Sequence, residues 1–127
     1  MEQKRVLYIE DNPDNRLLAK KILMVEGYDV LEAGDGPSGL ALAEKEEVDL
    51  VLVDINMPGM DGYEVARRLR AMPRMSKVPI IALTANVLQG DREKSLLSCD
   101  GYIPKPLDVD MLGQQIATFL AQGPKKR

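Results

Sequence analysis

Short apolar runs recur along this chain at intervals filled by helical patterns, and that alternation constrains the fold more than any other feature of the sequence. Residues 6–9, 49–53, 78–83 and the weaker 102–103 are too short for helices, rich in β-branched residues and closed by polar or turn residues, so each predicts a buried strand. Residues 28–33 mix apolar with charged side chains, as an edge strand does. Between the strands, helices have recognisable starts: Asn12 as N-cap before Pro13, Gly36 before Pro37, and Asp61 with Glu64 three residues on. Core faces follow from the spacing of Leu17, Leu18, Ile22 and Val25 in the first helix, Leu40 and Ala43 in the second, and Val65 and Leu69 in the third. A fourth helix is expected mainly over 91–97, after a looser turn that includes Gly90. Met111, Leu112, Ile116, Phe119 and Leu120 mark the last helix, which Gly123 and Pro124 end.

Five nearly continuous apolar strands alternating with five helices predict a three-layer α/β fold, a parallel sheet covered by helices on both faces. The 127 residues, 45% of them hydrophobic, suit one domain whose core needs neither disulfides nor a structural metal. No internal repeat and no linker for a second domain is present, and Lys125-Lys126-Arg127 reads as a solvated tail. The N-terminal segment fits neither a signal peptide nor a membrane span.

In an open parallel α/β sheet, ligands bind beyond the carboxyl ends of the strands, and right-handed crossovers bring all those ends to one edge. Here the first strand ends in Glu10-Asp11, the third in Asp54 and the fourth in Thr84, while the fifth leads through Pro104 to Lys105. Three carboxylates, a hydroxyl and an ammonium therefore converge. Clustered carboxylates repel one another and call for a cation, and an oxygen-only set suits Mg²⁺ better than a transition metal. Asp54, at the centre of the crevice, is placed to attack phosphorus and form an acyl phosphate, with Lys105 and Thr84 holding phosphoryl oxygens. Composition removes the competing chemistries. With no histidine there is no Ser-His-Asp triad, no Cys-His pair and no histidine zinc site, and the single Cys99 excludes an internal disulfide or a CxxC site. Cys99 reads as a small buried hydrophobe, and Met57 and Met60 as core filler or loop anchors. The lone cysteine points to a reducing, cytoplasmic setting. A net charge of −3 offers no general attraction to nucleic acid.

Tyr8-Ile9-Glu10-Asp11-Asn12, the run from Val53-Asp54 through Asn56-Met57-Pro58-Gly59 to Gly62, Ala82-Leu83-Thr84-Ala85 and Tyr102-Ile103-Pro104-Lys105-Pro106 together resemble the receiver domain of two-component response regulators. The likeness covers essentially the whole chain. It implies a doubly wound, flavodoxin-like sheet of order 2-1-3-4-5, with a receiver over 1–122 and a short basic tail at 123–127. It makes Asp54 the phosphoacceptor, with Glu10, Asp11, Asp54 and the main-chain carbonyl of Asn56 around Mg²⁺. Thr84 and Tyr102 become the switch pair, Lys105 the phosphate-binding lysine and Lys105–Pro106 a cis peptide. Gly62 allows the tight turn after the acceptor loop, which Pro58 stiffens. Asn56 and Asn86 are the positions that tune phosphate lifetime.

The implied partners are a histidine kinase or histidine phosphotransfer protein as donor, and a downstream target on the face of the fourth helix, last strand and last helix. Neither nucleic acid nor membrane is expected as a partner, and the protein is expected to be a monomer or weak dimer in the cytoplasm. A receiver assists its own phosphotransfer and dephosphorylation but is not a turnover enzyme. The stretch from Ala82 to Asn86 looks like that of single-domain, cell-cycle-type regulators and equally like receivers within hybrid histidine kinases; Met1 and the short tail favour a stand-alone protein. Two rival classes remain: a small aspartyl-phosphate phosphohydrolase, loosely suggested by Asp54-Ile55-Asn56, and an interaction module that keeps the fold without the chemistry.

Overall fold

The computed structural model describes residues 3–60, 62–85 and 99–124. The elements run β1 (Arg5–Ile9), α1 (Pro13–Val25), β2 (Asp29–Ala33), α2 (Gly36–Lys45), β3 (Leu50–Asp54), α3 (Gly62–Ala71), a 3₁₀ turn (Pro73–Met75), β4 (Ile80–Thr84), β5 (Gly101–Pro104) and a C-terminal helix α4 (Leu112–Gln122). The helix expected over 91–97, the Asp61 cap and the tail at 125–127 lie outside the described residues. All strand pairs are parallel, and the sheet order is β2-β1-β3-β4-β5. The chain thus starts near the middle of the sheet, steps out to β2, then returns across β1 to build the other half.

Strand alternation divides the core in two. Leu7, Ile9, Val51, Val53, Ile80 and Ala82 pack against Ala43 of α2 and Val65, Ala66 and Leu69 of α3. Val6, Tyr8, Leu50, Leu52, Ile81 and Leu83 pack on the other face against Ala19 and Leu23 of α1 and Leu112 and Ile116 of α4. Side chains at i and i+2 share a face, so a strand buried on both sides reads as an unbroken apolar run. Cys99 is fully buried among the first group, as a small hydrophobe. Gly39 lets α2 approach β1 closely, since a Cβ there would sit 2.4 Å from Cδ1 of Ile9.

Several local expectations are corrected. The core seam of α1 is Ala19 and Leu23 with Ile22 partly buried, whereas Leu17, Leu18 and Val25 are exposed, Val25 by 86%. The helix meets the sheet along its smallest apolar residue, Ala19, and a pattern weighted by large side chains misses that phase. Asp35, not Gly36, caps α2: its Oδ1 accepts the Ser38 N–H at 2.7 Å, which glycine has no side-chain oxygen to do. Met111 is exposed at the N-cap position of α4 and does not join its core face. β3 extends to Asp54, and β4 begins only after Pro79, at Ile80. β5 runs to Pro104: among the described strands it borders β4 alone, so a missing N–H removes no ladder bond on the outer side.

The amino-terminal ends of β4 and β5 are fastened by a partly buried ion pair. Arg70 of α3 bonds Asp100 and donates to the carbonyls of Met75 (3.2 Å) and Val78 (3.3 Å), while Asp100 also accepts the Ile80 N–H at 2.7 Å. One arginine thereby ties α3, the 3₁₀ turn and the starts of β4 and β5. Among the described residues no helix is long and apolar enough to cross a membrane.

Candidate functional site

Because all five strands run the same way, the residues that close them meet at one edge. Glu10 follows β1, Asp54 ends β3 and Thr84 ends β4; each is about 1% exposed. Asp11 is exposed at the mouth, and Lys105 follows β5. Carboxylate oxygens of Glu10, Asp11 and Asp54 lie within 4.8 Å of one another. Lys105 Nζ is 2.7 Å from Asp54 Oδ1 and 3.8 Å from Glu10 Oε1.

The frame that holds these groups is mostly main chain. The Lys105 N–H donates to Thr84 O at 2.8 Å and the Ile55 N–H to Leu83 O at 2.9 Å, so β4 fixes both the Asp54 loop and the lysine. The Asn56 N–H donates to Asp54 Oδ1 at 3.0 Å. Gly62 closes the loop after Asp54: a Cβ there would stand 2.3 Å from Asp54 O, so only glycine permits this approach. The Lys105–Pro106 peptide is cis. Asn12 caps α1, its Oδ1 accepting the N–H groups of Asp14 (2.8 Å) and Asn15 (3.1 Å).

Glu10 accepts hydrogen bonds on both carboxylate oxygens and on its carbonyl. Its Oε1 accepts from the Tyr8 hydroxyl and from Asn15 Nδ2, both at 3.3 Å, and its Oε2 from the Asn12 N–H at 3.4 Å. Its carbonyl accepts from Arg16 Nη1 at 2.6 Å. Burial above all, with the adjoining Asp54 and Asp11 adding to it and Lys105 opposing, pushes the Glu10 carboxyl up to about 7. Burial and the Glu10 carboxylate also push the Tyr8 hydroxyl well above its ordinary range, so it stays a proton donor. Three carboxylates outnumber the one ammonium that contacts them, and among the described residues the clustered groups able to ligate a metal all offer oxygen. That donor set fits a hard divalent cation, with Glu10, Asp11 and Asp54 as the groups able to hold it.

The strand-end residues predicted from the sequence are therefore brought together, and Tyr102 lies on β5 beside β4. It pairs with Ala82, is half-buried, and borders a shallow groove of about 190 Å³ with Gln115 and Phe119 of α4. Asn56 is exposed beside Asp54. Asn86 lies outside the described residues. The sequence reading missed Tyr8, Asn15 and Arg16 as parts of the site. The signal for Tyr8 was available: in a strand, residue 8 shares a face with residue 10. Beside the carboxylates a cleft of about 320 Å³ opens between Tyr8, Asn15, Leu18, Lys105 and Leu107.

A parallel sheet of this order with an acidic pocket and a lysine at its carboxyl edge defines a CheY-like receiver. The chain belongs to the response regulator receiver domain family, which it matches over residues 6–117. It is 44% identical over 113 residues to the Sensor protein EvgS of Escherichia coli strain K12, covering 87% of this chain but only 9% of EvgS. The chain thus spans a small part of that relative. Among solved structures, the receiver domain of sensor histidine kinase PA1611 from Pseudomonas aeruginosa PAO1 is 36% identical, with a TM-score of 0.86 over 94% of this chain and 99% of that one. That structure has a magnesium ion coordinated in its active-site cleft. Chemotaxis protein CheY4 of Vibrio cholerae is 27% identical, with a TM-score of 0.89 over 92% and 98% of the two chains.

Proposed function

We propose that this domain, spanning residues 1–122, is a signalling switch that takes a phosphoryl group from a phosphohistidine onto Asp54. The donor is a histidine kinase or a histidine phosphotransfer protein. One observation carries the reading: Lys105 Nζ stands 2.7 Å from Asp54 Oδ1 at the rim of a three-carboxylate cluster. Glu10, Asp11, Asp54 and the main-chain carbonyl of Asn56 would hold Mg²⁺, which when bound offsets negative charge between the carboxylates and the phosphoryl oxygens. A carboxylate oxygen of Asp54 forms the new bond to phosphorus as the P–N bond to the donor imidazole breaks; the ring keeps the electron pair and leaves neutral once protonated. The Asn56 N–H and Lys105 fix the Asp54 carboxylate for that attack, so positioning and electrostatics supply the catalysis. Lys105 then holds a phosphoryl oxygen, and the Thr84 hydroxyl donates to another.

The movement of Thr84 toward the phosphoryl group makes room for the Tyr102 ring to turn. A local charge becomes a packing change on the face of β5 and α4, where a downstream protein binds. The family resemblance makes Asn56 and Asn86 the positions that tune phosphate lifetime, and a carboxamide orients water without accepting its proton, which makes for slow loss of phosphate. The setting is cytoplasmic and the domain acts as a monomer or weak dimer, with stoichiometric labelling in place of turnover. The test is incubation with acetyl phosphate and Mg²⁺ followed by intact-mass measurement. A single added phosphate with no continued hydrolysis of generic phosphomonoesters supports the switch; sustained turnover of such esters would overturn it in favour of a phosphohydrolase.

A further inference from the structure

The group that prepares the acidic pocket for its cation lies one step behind the carboxylates. We infer that Tyr8, assisted by Asn15, is a positioning residue that holds the Glu10 carboxylate in place for the divalent cation through hydrogen bonds to Oε1. The inference rests on the proposed function, because it assigns a role toward the same cation.

The geometry separates this contact from ordinary core packing. Tyr8 is 1% exposed and belongs to the apolar cluster that includes Ala19, Leu23 and Leu52, where a phenylalanine ring suits as well. Its hydroxyl instead reaches Glu10 Oε1 at 3.3 Å, two residues along the same strand face. Asn15 Nδ2 reaches the same oxygen from the first turn of α1 at 3.3 Å, and the Asn12 N–H reaches the other at 3.4 Å. Glu10 therefore has donors from both its strand and the helix that follows it. A buried carboxylate with fixed donors on one oxygen loses fewer orientations when a cation arrives. Donors behind a ligand commonly change metal affinity by tenfold or more. Neither Tyr8 nor Asn15 is among the groups that touch the cation or phosphorus in the proposed reaction.

Tyr8→Phe keeps the ring and removes only the hydroxyl. Mg²⁺ titration by calorimetry should show affinity weakened about tenfold, with the urea midpoint of the metal-free protein close to that of wild type. Asn15→Ala should weaken Mg²⁺ binding in the same direction and by less. Labelling by acetyl phosphate should need more Mg²⁺ for half-saturation in Tyr8→Phe, yet reach the wild-type rate at saturating Mg²⁺. In a Glu10→Gln background, Tyr8→Phe should cause no further loss of Mg²⁺ affinity. Unchanged Mg²⁺ affinity in Tyr8→Phe, or an equal further loss in the Glu10→Gln background, would overturn the role of Tyr8. Failure of the wild-type protein itself to bind Mg²⁺ or accept phosphate would instead overturn the function on which it rests.

Discussion

At the scale of single residues, the site works by placing charge where water is scarce, and Glu10 shows what this costs. Its carboxyl is raised from 4.5 to about 7, chiefly by burial. A raised carboxyl favours the folded state fully while the group is protonated in both states, below about pH 4.5, and the contribution is lost as pH climbs through about 7. The metal-free protein should therefore lose stability across that window. Glu10→Gln removes the loss, so without metal it should be more stable than wild type at about pH 8, by on the order of 2 kcal/mol, and the advantage should shrink toward about pH 4.5. Urea denaturation at the two pH values checks this, and a constant difference would show that Glu10 does not titrate in the window. Saturating Mg²⁺ should reverse the order at high pH, since the charged carboxylate holds the cation more tightly than the amide does. Lys105 has the complementary task. Phosphorylated Lys105→Ala should bind the downstream partner more weakly, because a charge-assisted hydrogen bond of about 1.5–3 kcal/mol is enough to bias a two-state switch. Normal binding by that variant would remove the role.

At the scale of elements, legibility followed how directly local chemistry dictates structure. The N-cap at Asn12, the strand ends at Glu10, Asp54 and Thr84, and the core faces at Val65, Leu69 and Ile116 were readable because capping and alternation act within a few residues. The face of α1 was not, because its phase is set by how closely a neighbouring sheet lets it approach, and Ala19 marks that approach without weighing much in an apolar pattern. The Tyr8 and Asn15 bonds to Glu10 were missed for a related reason: each residue has an ordinary role, in core or helix, that hides its second one. Asn12→Ala should lower stability by about 1 kcal/mol through loss of the cap. The tie between α3 and β5 is stronger. Asp100→Ala leaves Arg70 without its buried carboxylate and the Ile80 N–H without its acceptor, and should lower stability by about 3 kcal/mol. A denaturation midpoint equal to that of wild type would show that the pair adds nothing net.

For the molecule as a whole, the parallel sheet gathers chemistry at one edge and leaves the opposite edge to structural ties, such as Arg70 with Asp100. The acidic pocket sits between α1 and the loop that carries Lys105, while Tyr102 and α4 meet at a groove away from it. Under the proposed function a phosphoryl group on Asp54 would be read at a distance, through β4 and β5, and amide shifts on phosphorylation should extend from residue 54 across residues 90–120. The free protein should already sample the active arrangement as a minor population. Shifts confined to the neighbourhood of Asp11 and Asp54 would contradict this coupling. The lifetime of the phosphate belongs to the same scale in the proposed function, which gives Asn56 and Asn86 its tuning. Asn86→Glu should shorten it and Asn86→Ala leave it equal or longer, read from the decay of acid-labile phosphate; identical lifetimes would assign the clock to backbone geometry. Under the proposed function Asp54 is the sole acceptor, and borohydride trapping checks this by reducing an aspartyl phosphate to homoserine for peptide mass mapping. After incubation with acetyl phosphate and Mg²⁺, homoserine should appear at position 54 alone and be absent from Asp54→Asn; a reduced side chain at position 10 or 11, or undiminished labelling of Asp54→Asn, would overturn the assignment.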